Sequence, residues 1–447
     1  MTADDSVQGY TSSDDLKKLL IKIETKRLNL VVIGLGRVGL PLAVSFALVG
    51  IKTIGVDINE KLVGLINEGK APFYEEGLDE ALKTVVTSGY LSAIKSSNDV
   101  INYGDAFIIA VGTPLTEDNY LDYTQLISAL KQLATAELKG RLIIVRSTTA
   151  PGTLENVVKP LLEASGLKAG IDFGLAVVPE RVVEGKALYE IKTLPEIIGG
   201  VNEISSQLAI ALFKHLNPNK KLIITRPIIA ELAKLFLNVY RYVNFALSNE
   251  FALISEQYGV DVREVIRVAN EDYPRGGIPM PGFAGGPCLS KDGYYLLQKN
   301  IFPELIITAW RLNEFLPQYV ANRVVESIRK LGLDVNKVNI GVLGLSYKRD
   351  IDDLRYSPAK KLVNCLEKLG FKVLVHDPYV KSTIPLEDVL ANSQILIVAV
   401  NHSQFVNLED IINKHLNISF IYDVWGIIDR KKLRGNIGYL ALGAPHE

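Results

Sequence analysis

From Asn29 the chain alternates short apolar runs with longer stretches in which apolar residues recur every three or four positions. The runs at 29–33, 53–56, 106–111, 142–145, 175–178 and 197–200 read as strands, and the stretches between them read as helices. Such alternation predicts a parallel sheet covered by helices on both faces. The rhythm then changes. Residues 228–258 contain no Gly or Pro and keep helical spacing, which predicts one helix of about 30 residues. A Gly/Pro-rich loop at 274–287 follows, with more helix expected beyond it. A second strand–helix block opens near Asn339, with apolar runs at 340–345, 373–375, 395–400, 420–422 and 437–442. Residues 12–24 form a short amphipathic pattern, with Leu16, Leu19, Leu20 and Ile23 on one side. The expectation is an α/β chain: a terminal extension at 1–26, a sheet domain at 27–222, a helical middle at 223–330 and a second sheet domain at 331–447.

Composition narrows the function. At 447 residues, 48% hydrophobic and 22% charged, the chain has the balance of a globular protein with a large core. A net charge of −1 excludes a general attraction to nucleic acid or anionic membranes. Any anionic ligand must be held by a few local cations and backbone N–H groups. Two distant thiols, Cys288 and Cys365, make no disulfide framework and fit a reducing cytoplasm. The acidic N-terminus has no apolar core of a secretory signal. No uncharged apolar run approaches the ~18 residues of a membrane span. The apolar stretch from Pro227 to Ile254 carries Glu231, Lys234, Arg241 and Glu250, which makes it a core helix. No metal site is implied.

The first run leads directly into Gly34-Leu35-Gly36-Arg37-Val38-Gly39, followed by helix and a second strand ending in Asp57. Gly34 permits a tight turn, Gly36 allows backbone to approach a pyrophosphate, and Gly39 lets helix and strand pack closely. The helix N-terminus then offers N–H groups to the phosphates. A carboxylate at Asp57 suits both ribose hydroxyls and repels a 2′-phosphate, favouring NAD over NADP. Without the strand before and the acid after, the same glycines would be an ordinary turn.

Two further groupings carry chemistry. Cys288 follows a glycine-rich loop, 282–287, that leaves it open to close approach, and Asp292 stands one helical turn later. A thiolate there is a nucleophile for an aldehyde carbon, although a cysteine taken alone is more often a packed thiol. On the long helix Lys234 and Asn238 project from one face. They suit an alkoxide or tetrahedral oxyanion; the bland alternative is a solvated stripe.

These residues and their order resemble the UDP-glucose/GDP-mannose dehydrogenase family across about residues 28–445. The motifs are GLGRVG at 34–39, AVGTP at 110–114, RSTTAPGT at 146–153, PERVVEG at 179–185, AELAKLFLN at 230–238, GFAGGPCLSKD at 282–292 and GLSYKRDIDDLRYSPA at 344–359. The resemblance implies two Rossmann-like domains around a long-helix region. It implies a nucleophile at Cys288, with Asp292, Lys234 and Asn238 beside it, and a water oriented by Thr148 and Glu180. It places Gly112, Thr113, Pro114, Ser147, Thr148, Glu184 and Arg355 at the cofactor with the glycine turn and Asp57. It places Glu180, Arg181, Lys234, Asn238, Arg275, Pro279, Gly282, Phe283, Gly285 and Lys348 on the substrate, with Arg275 reaching a neighbouring subunit. A homodimer or higher homo-oligomer is implied, because the long helix is apolar on several faces. Ser290 stands where many bacterial members have proline, and Val424-Trp425-Gly426 stands where many have a basic residue.

The expected reaction is a four-electron, NAD-dependent oxidation of a UDP-sugar C6 alcohol through a thiohemiacetal and a thioester. Arg181, in Pro-Glu-Arg, and Arg275 resemble the members acting on 2-acetamido sugars, and Arg181 has donors for an acetamido carbonyl. UDP-N-acetyl-D-mannosamine is therefore the favoured sugar, with UDP-glucose and UDP-N-acetylglucosamine as alternatives. A two-electron dehydrogenase of the 6-phosphogluconate type needs neither Cys288 nor a second nucleotide domain. A non-catalytic nucleotide-sugar sensor needs neither Cys288, Lys234 nor Asp292.

Overall fold

The computed structural model describes residues 14–95, 102–116, 118–297, 302–335 and 337–445. The chain divides into two compact units, Met1–Phe236 with Tyr294–Leu296, and Leu237–Gly293 with Leu297–Glu447. Among the described residues no helix is long and apolar enough to cross a membrane.

The first unit is built on eight strands: β1 (Asn29–Ile33), β2 (Lys52–Asp57), β3 (Leu91–Lys95), β4 (Ala106–Ile109), β5 (Leu142–Val145), β6 (Gly174–Val177), β7 (Glu196–Gly200) and β8 (Leu222–Thr225). Their order is β3-β2-β1-β4-β5-β6-β7-β8, so the direction of winding reverses between β1 and β4. Side chains of a strand point alternately to opposite faces, and the core divides accordingly. Leu30, Val32, Ala106, Ile108, Leu142 and Ile144 belong to one buried cluster; Val31, Ile33, Phe107, Ile109, Ile143 and Val145 belong to another. A parallel sheet covered on both faces needs such continuous apolar strands.

Two strands escape the apolar-run reading. β3 alternates, with Leu91 and Ala93 buried between exposed Ser92 and Lys95. β8 is an edge strand with Ile224 60% exposed. One pairing also differs from a fully parallel sheet: β7 runs antiparallel to β6, with Ala176 opposite Gly200, and β8 runs parallel to β7. The reversal brings the start of β7, at Glu196, to the edge where β5 and β6 end.

The second unit holds a five-stranded parallel sheet in the order β10-β9-β11-β12-β13. Its strands are β9 (Asn339–Leu343), β10 (Lys372–His376), β11 (Ile395–Val398), β12 (Phe420–Asp423) and β13 (Gly438–Ala441). The chain is thus α/β with two sheets, and a single 31-residue helix, Pro227–Gln257, carries residues of both units. Its first residue is proline, a residue suited to the first helical turn, where its missing N–H leaves no helical bond unmade. After the Gly/Pro-rich loop come two one-turn helices, Leu289–Asp292 and Tyr294–Leu297, then Glu304–Lys330.

The extension contributes α1 (Asp14–Glu24); residues 12 and 13 of the expected helix lie outside the described residues. Leu16, Leu19 and Ile23 are buried in the same cluster as Leu208 and Leu212 of the helix Glu203–Lys214. The His215 ring lies 2.8 Å from the Ile23 carbonyl oxygen. Leu16 is 0% exposed, so Leu16→Ala is expected to lower unfolding free energy by about 2–5 kcal/mol. Urea denaturation measures this, and an unchanged midpoint would mark the extension as a loose appendage.

Candidate active site

The turn after β1 has the shape its glycines require. Gly34 adopts φ +91°, and a Cβ there would stand 2.9 Å from the Ala110 carbonyl. A Cβ on Gly39 would stand 1.8 Å from the Gly34 carbonyl oxygen, so helix α2 (Gly39–Leu48) can start this close to the strand only with glycine. Gly36 is different: nothing lies within 4 Å of its missing Cβ. That open backbone is the surface a pyrophosphate would approach. Asp57 accepts the Leu35 N–H at 2.8 Å and the Asn59 N–H at 2.9 Å. An ionised carboxylate has about four acceptor positions, so capacity remains for ribose hydroxyls. Arg37 sits with its guanidinium 4.8 Å from the centre of the Phe73 ring. This arrangement fits a dinucleotide.

Next to it, the loops after β4 and β5 are bonded to each other. Thr113 Oγ1 donates to the Thr148 carbonyl at 2.7 Å, and Ser147 Oγ donates to the Val111 carbonyl at 2.7 Å. The buried Tyr295 hydroxyl donates to the Thr113 carbonyl at 2.6 Å. Gly112 and Pro114 flank this joint. Glu184 lies in the loop held by Glu75, whose carboxylate accepts the N–H groups of Gly185 and Ala187 at 2.8 and 2.6 Å.

Four buried charges organise the end of the sheet. Arg146 follows β5 and is 1% exposed. It bonds Glu180 at 2.6 Å and Glu196 at 2.8 Å, and Lys220 meets Glu196 at 2.8 Å. Two acids and two bases cancel. Burial alone would raise the Glu180 carboxyl pKa, but Arg146 and the Val182 N–H outweigh it and hold it below its ordinary value. Glu180 Oε1 also accepts the Arg181 N–H at 2.6 Å. The carboxylate is thereby held as an oriented anion. Its backbone carbonyl accepts the buried Lys234 ammonium at 2.6 Å, so two of the expected site residues are joined.

The Arg181 guanidinium donates to the Pro195 carbonyl. Glu231, on the helix three residues before Lys234, accepts Gly152 N–H at 2.6 Å, Leu154 N–H at 3.0 Å and Thr149 Oγ1–H at 3.1 Å. It fastens the loop of Thr148 to the long helix. Burial raises its pKa despite these donors.

In the second unit Cys288 is solvent-exposed, and neither cysteine is in a disulfide. The Asp292 N–H donates to the Cys288 carbonyl at 3.0 Å, closing the single helical turn. Asp292 is 1% exposed. Its Oδ2 accepts Asn238 Nδ2–H at 2.7 Å, and Lys291 bridges its Oδ1 at 3.1 Å. The preceding loop is almost entirely buried, with Phe283 4% exposed. Arg275 lies on an exposed turn, stacked at 4.7 Å over Tyr273 and donating to its hydroxyl; Pro279 is half-buried nearby in sequence.

The second sheet repeats the first one's device with a different outcome. Gly344 adopts φ +92°, and the Leu345 N–H donates to Asp377 Oδ2 at 2.7 Å, as Leu35 does to Asp57. Asp377, however, also accepts the N–H groups of Ser346 and Tyr379 and lies 3.1 Å from His402 Nε2. His402 Nδ1 accepts the Asp350 N–H at 2.9 Å, so the proton sits on Nε2 and points at Asp377. Burial would raise the Asp377 pKa; His402 and the backbone donors bring it down to about 2. This aspartate is sealed and cannot serve a ribose as Asp57 can. Lys348 stands half-buried in the loop that follows Gly344, and the exposed Arg355 pairs with Asp353 at 2.6 Å.

Arg146, Glu196, Lys220, Glu231, Asp377 and His402 had no assigned role in the sequence reading. A charged residue directly after an apolar run, as in LIIVR at 142–146, is the one signal that pointed to any of them. Glu196→Gln leaves two buried cations with one acid, and is expected to cost about 3–5 kcal/mol of stability in denaturant titration. An unchanged midpoint would mean that the remaining groups compensate without it. Asp377 supplies stability that is full above its unfolded pKa near 3.8 and is lost as pH falls towards 2. Asp377→Asn should therefore destabilise at pH 7, and its deficit relative to wild type should shrink between pH 4 and 2. A pH-independent deficit would contradict this.

Comparison with known proteins agrees with this geometry. The UDP-glucose/GDP-mannose dehydrogenase family is matched by three of its models: the NAD binding domain over residues 28–217, the central domain over 229–314 and the UDP binding domain over 341–430. UDP-N-acetyl-D-mannosamine dehydrogenase of Pyrococcus horikoshii is 38% identical over 407 residues, 90% of this chain and 96% of that protein. The solved UDP-D-ManNAc dehydrogenase structure from Pyrococcus horikoshii superposes with TM-score 0.87 at 36% identity, covering 93% of this chain and 99% of that one. A UDP-glucose dehydrogenase structure from Pyrobaculum islandicum gives TM-score 0.80 at 26% identity, covering 98% and 99%. The open glycine turn with Asp57, the Asn238–Asp292 pair beside Cys288 and these matches lead to one conclusion: the chain belongs to the UDP-glucose/GDP-mannose dehydrogenase family, as an NAD-dependent oxidoreductase.

Proposed function

We propose that the protein oxidises the C6 alcohol of a UDP-sugar to the carboxylate, and that the sugar is UDP-N-acetyl-D-mannosamine. The observation that carries the mechanism is the Asn238–Asp292 hydrogen bond of 2.7 Å, one helical turn from Cys288. It fixes the Asp292 carboxyl group one helical turn from an exposed thiol.

Alcohol to carboxylate is a four-electron change; Gly34–Gly39 and Asp57 would hold NAD⁺, which would supply a hydride acceptor for each of the two oxidations. The chain supplies the rest. The C6 hydroxyl passes its proton through a water to Asp292, and the Lys234 ammonium offsets the charge left on the alkoxide. Cys288 Sγ adds to the aldehyde carbon and forms a thiohemiacetal; loss of the second hydride leaves a thioester. Water oriented by Thr148 and Glu180 attacks the thioester carbonyl, releasing the carboxylate and restoring the thiol. Lys234 faces the oxygen on which charge develops. Because the aldehyde stays attached, no reactive intermediate is released.

The higher identity to the Pyrococcus horikoshii UDP-N-acetyl-D-mannosamine dehydrogenase, 38%, supports the acetamido sugar, as does Arg181. One of its five donors is used on Pro195, and others are available for an acetamido carbonyl. Arg275, Pro279, Gly282, Phe283, Gly285 and Lys348 complete the proposed substrate contacts, and Ser147, Glu184 and Arg355 the cofactor contacts. We also place the enzyme in the cytoplasm, as its two thiols outside any disulfide suggest, and as a homodimer. Phe236 and Tyr240 on the long helix are 58% and 67% exposed, a surface a second copy would cover.

A panel of UDP-sugars assayed by NADH formation tests the proposal. UDP-N-acetyl-D-mannosamine should give the highest kcat/KM and about two NADH per sugar. A site built to bond an acetamido group rejects sugars lacking it, so equal or better kcat/KM for UDP-glucose would overturn the sugar assignment. A yield of one NADH would overturn the four-electron mechanism, and Cys288→Ser with full turnover would remove the thiol from it.

A further inference from the structure

The loop that carries Cys288 is held by two residues that have no assigned role. Asn249, on the long helix, is 0% exposed. Its Oδ1 accepts the Gly282 N–H at 2.8 Å, and its Nδ2 donates to the Gly282 carbonyl at 3.1 Å. The carboxamide thus pairs with the Gly282 backbone as a neighbouring strand would. The same Nδ2 donates to Asn313 Oδ1 at 3.0 Å, and Asn313 donates to the Tyr242 carbonyl at 3.0 Å. A buried amide with these bonds made can neither rotate nor shift without leaving groups unsatisfied.

Trp425 packs against the same glycine. A Cβ on Gly282 would lie 2.6 to 2.9 Å from carbons of the indole ring. The ring is itself fixed: Nε1 donates to the Ala399 carbonyl at 2.9 Å, and the backbone N–H donates to Asp423 Oδ1 at 3.0 Å. Asp423, wholly buried, also accepts Gly426 and Ile428 N–H groups at 2.9 and 2.8 Å. Further along the loop, a Cβ on Gly285 would meet Pro358 at 2.5 Å, and one on Gly286 would meet the Tyr347 ring at 2.5 Å. Trp425 and Tyr347 follow the carboxyl ends of β12 and β9, where ligands of an open parallel sheet are bound. The three glycines are therefore close-contact positions between the cysteine loop and the ligand-binding rim of the second sheet.

We propose that Asn249 and Trp425 are positioning residues, which together set where Cys288 stands relative to a nucleotide sugar held on that rim. This rests on the reading of Cys288 as nucleophile. Asn249 fixes the loop's height on the helix, and the indole is the wall that the loop backbone is pressed against. Removing the wall leaves the thiol chemically intact but misplaced.

The test compares full-length wild type, Trp425→Ala, Trp425→Phe and Cys288→Ser. A displacement near 1 Å at a reacting group costs about 100-fold. Trp425→Ala should therefore lower kcat by about 10- to 100-fold, leave KM for NAD⁺ unchanged, and raise the rate of Cys288 alkylation by iodoacetamide. Trp425→Phe keeps a flat ring and should restore most of kcat. If Trp425→Ala unfolds, Trp425→Leu keeps apolar volume without the flat ring and should show the same fall. Wild-type kcat and alkylation rate in Trp425→Ala or Trp425→Leu, with Cys288→Ser inactive, would overturn the assignment and leave the nucleophile standing. A rise in KM for the UDP-sugar alone would also overturn it, by making Trp425 a ground-state contact. Full turnover by Cys288→Ser would instead overturn the underlying reading.

Discussion

A carboxylate taken out of water must find donors for its oxygens, and here the donors are mostly backbone N–H groups of the loops that form the site. Glu231 takes three donors from residues 149–154. Glu180 takes Arg146 and the N–H groups of 181 and 182. Asp423 takes three N–H groups from 425–428. In each case the acid sits on or just after a regular element, and its bonds decide the path of the loop. A loop held this way is rigid enough to present a catalytic group, which a loop free in solvent is not. The dependence runs in one direction: move the acid, and the loop loses its reason to fold where it does.

The same logic separates the two sheets. Both begin with a glycine near φ +90° followed by an N–H that bonds an aspartate at the end of the next strand. Asp57 is left half-buried with acceptor capacity in hand, whereas Asp377 is closed off by His402 and three N–H groups. One fold can thus carry a dinucleotide on one sheet and present a different nucleotide surface on the other, because accessibility of a single carboxylate differs. The antiparallel β7 has a comparable effect. By reversing direction it brings Glu196 to Arg146, and the buried quartet that results steadies the carbonyl on which Lys234 rests.

Much of this architecture was legible from the chain alone. Continuous apolar runs marked β1, β4, β5, β6 and β11 to within a residue or two, since a strand buried on both faces admits little else. The uninterrupted helical spacing marked the long helix within one residue. The glycine turn, Asp57, and the grouping of Cys288 with Asp292 and of Lys234 with Asn238 are local patterns, and local stereochemistry dictates them. β3 and β8 were not legible, because an alternating or exposed edge strand has no run to show.

What the tertiary structure alone decided is the pairing of groups distant in sequence. Nothing near Arg146 names Glu196, fifty residues on, as its partner, and nothing near Gly282 names Asn249 or Trp425. Nor does the chain reveal that Asp377 is sealed while Asp57 stays open. Periodicity and spacing specify which elements form, because those depend on interactions within a few residues. Burial, charge compensation and close backbone approach depend on which elements come together, and that is settled only when the sheets assemble.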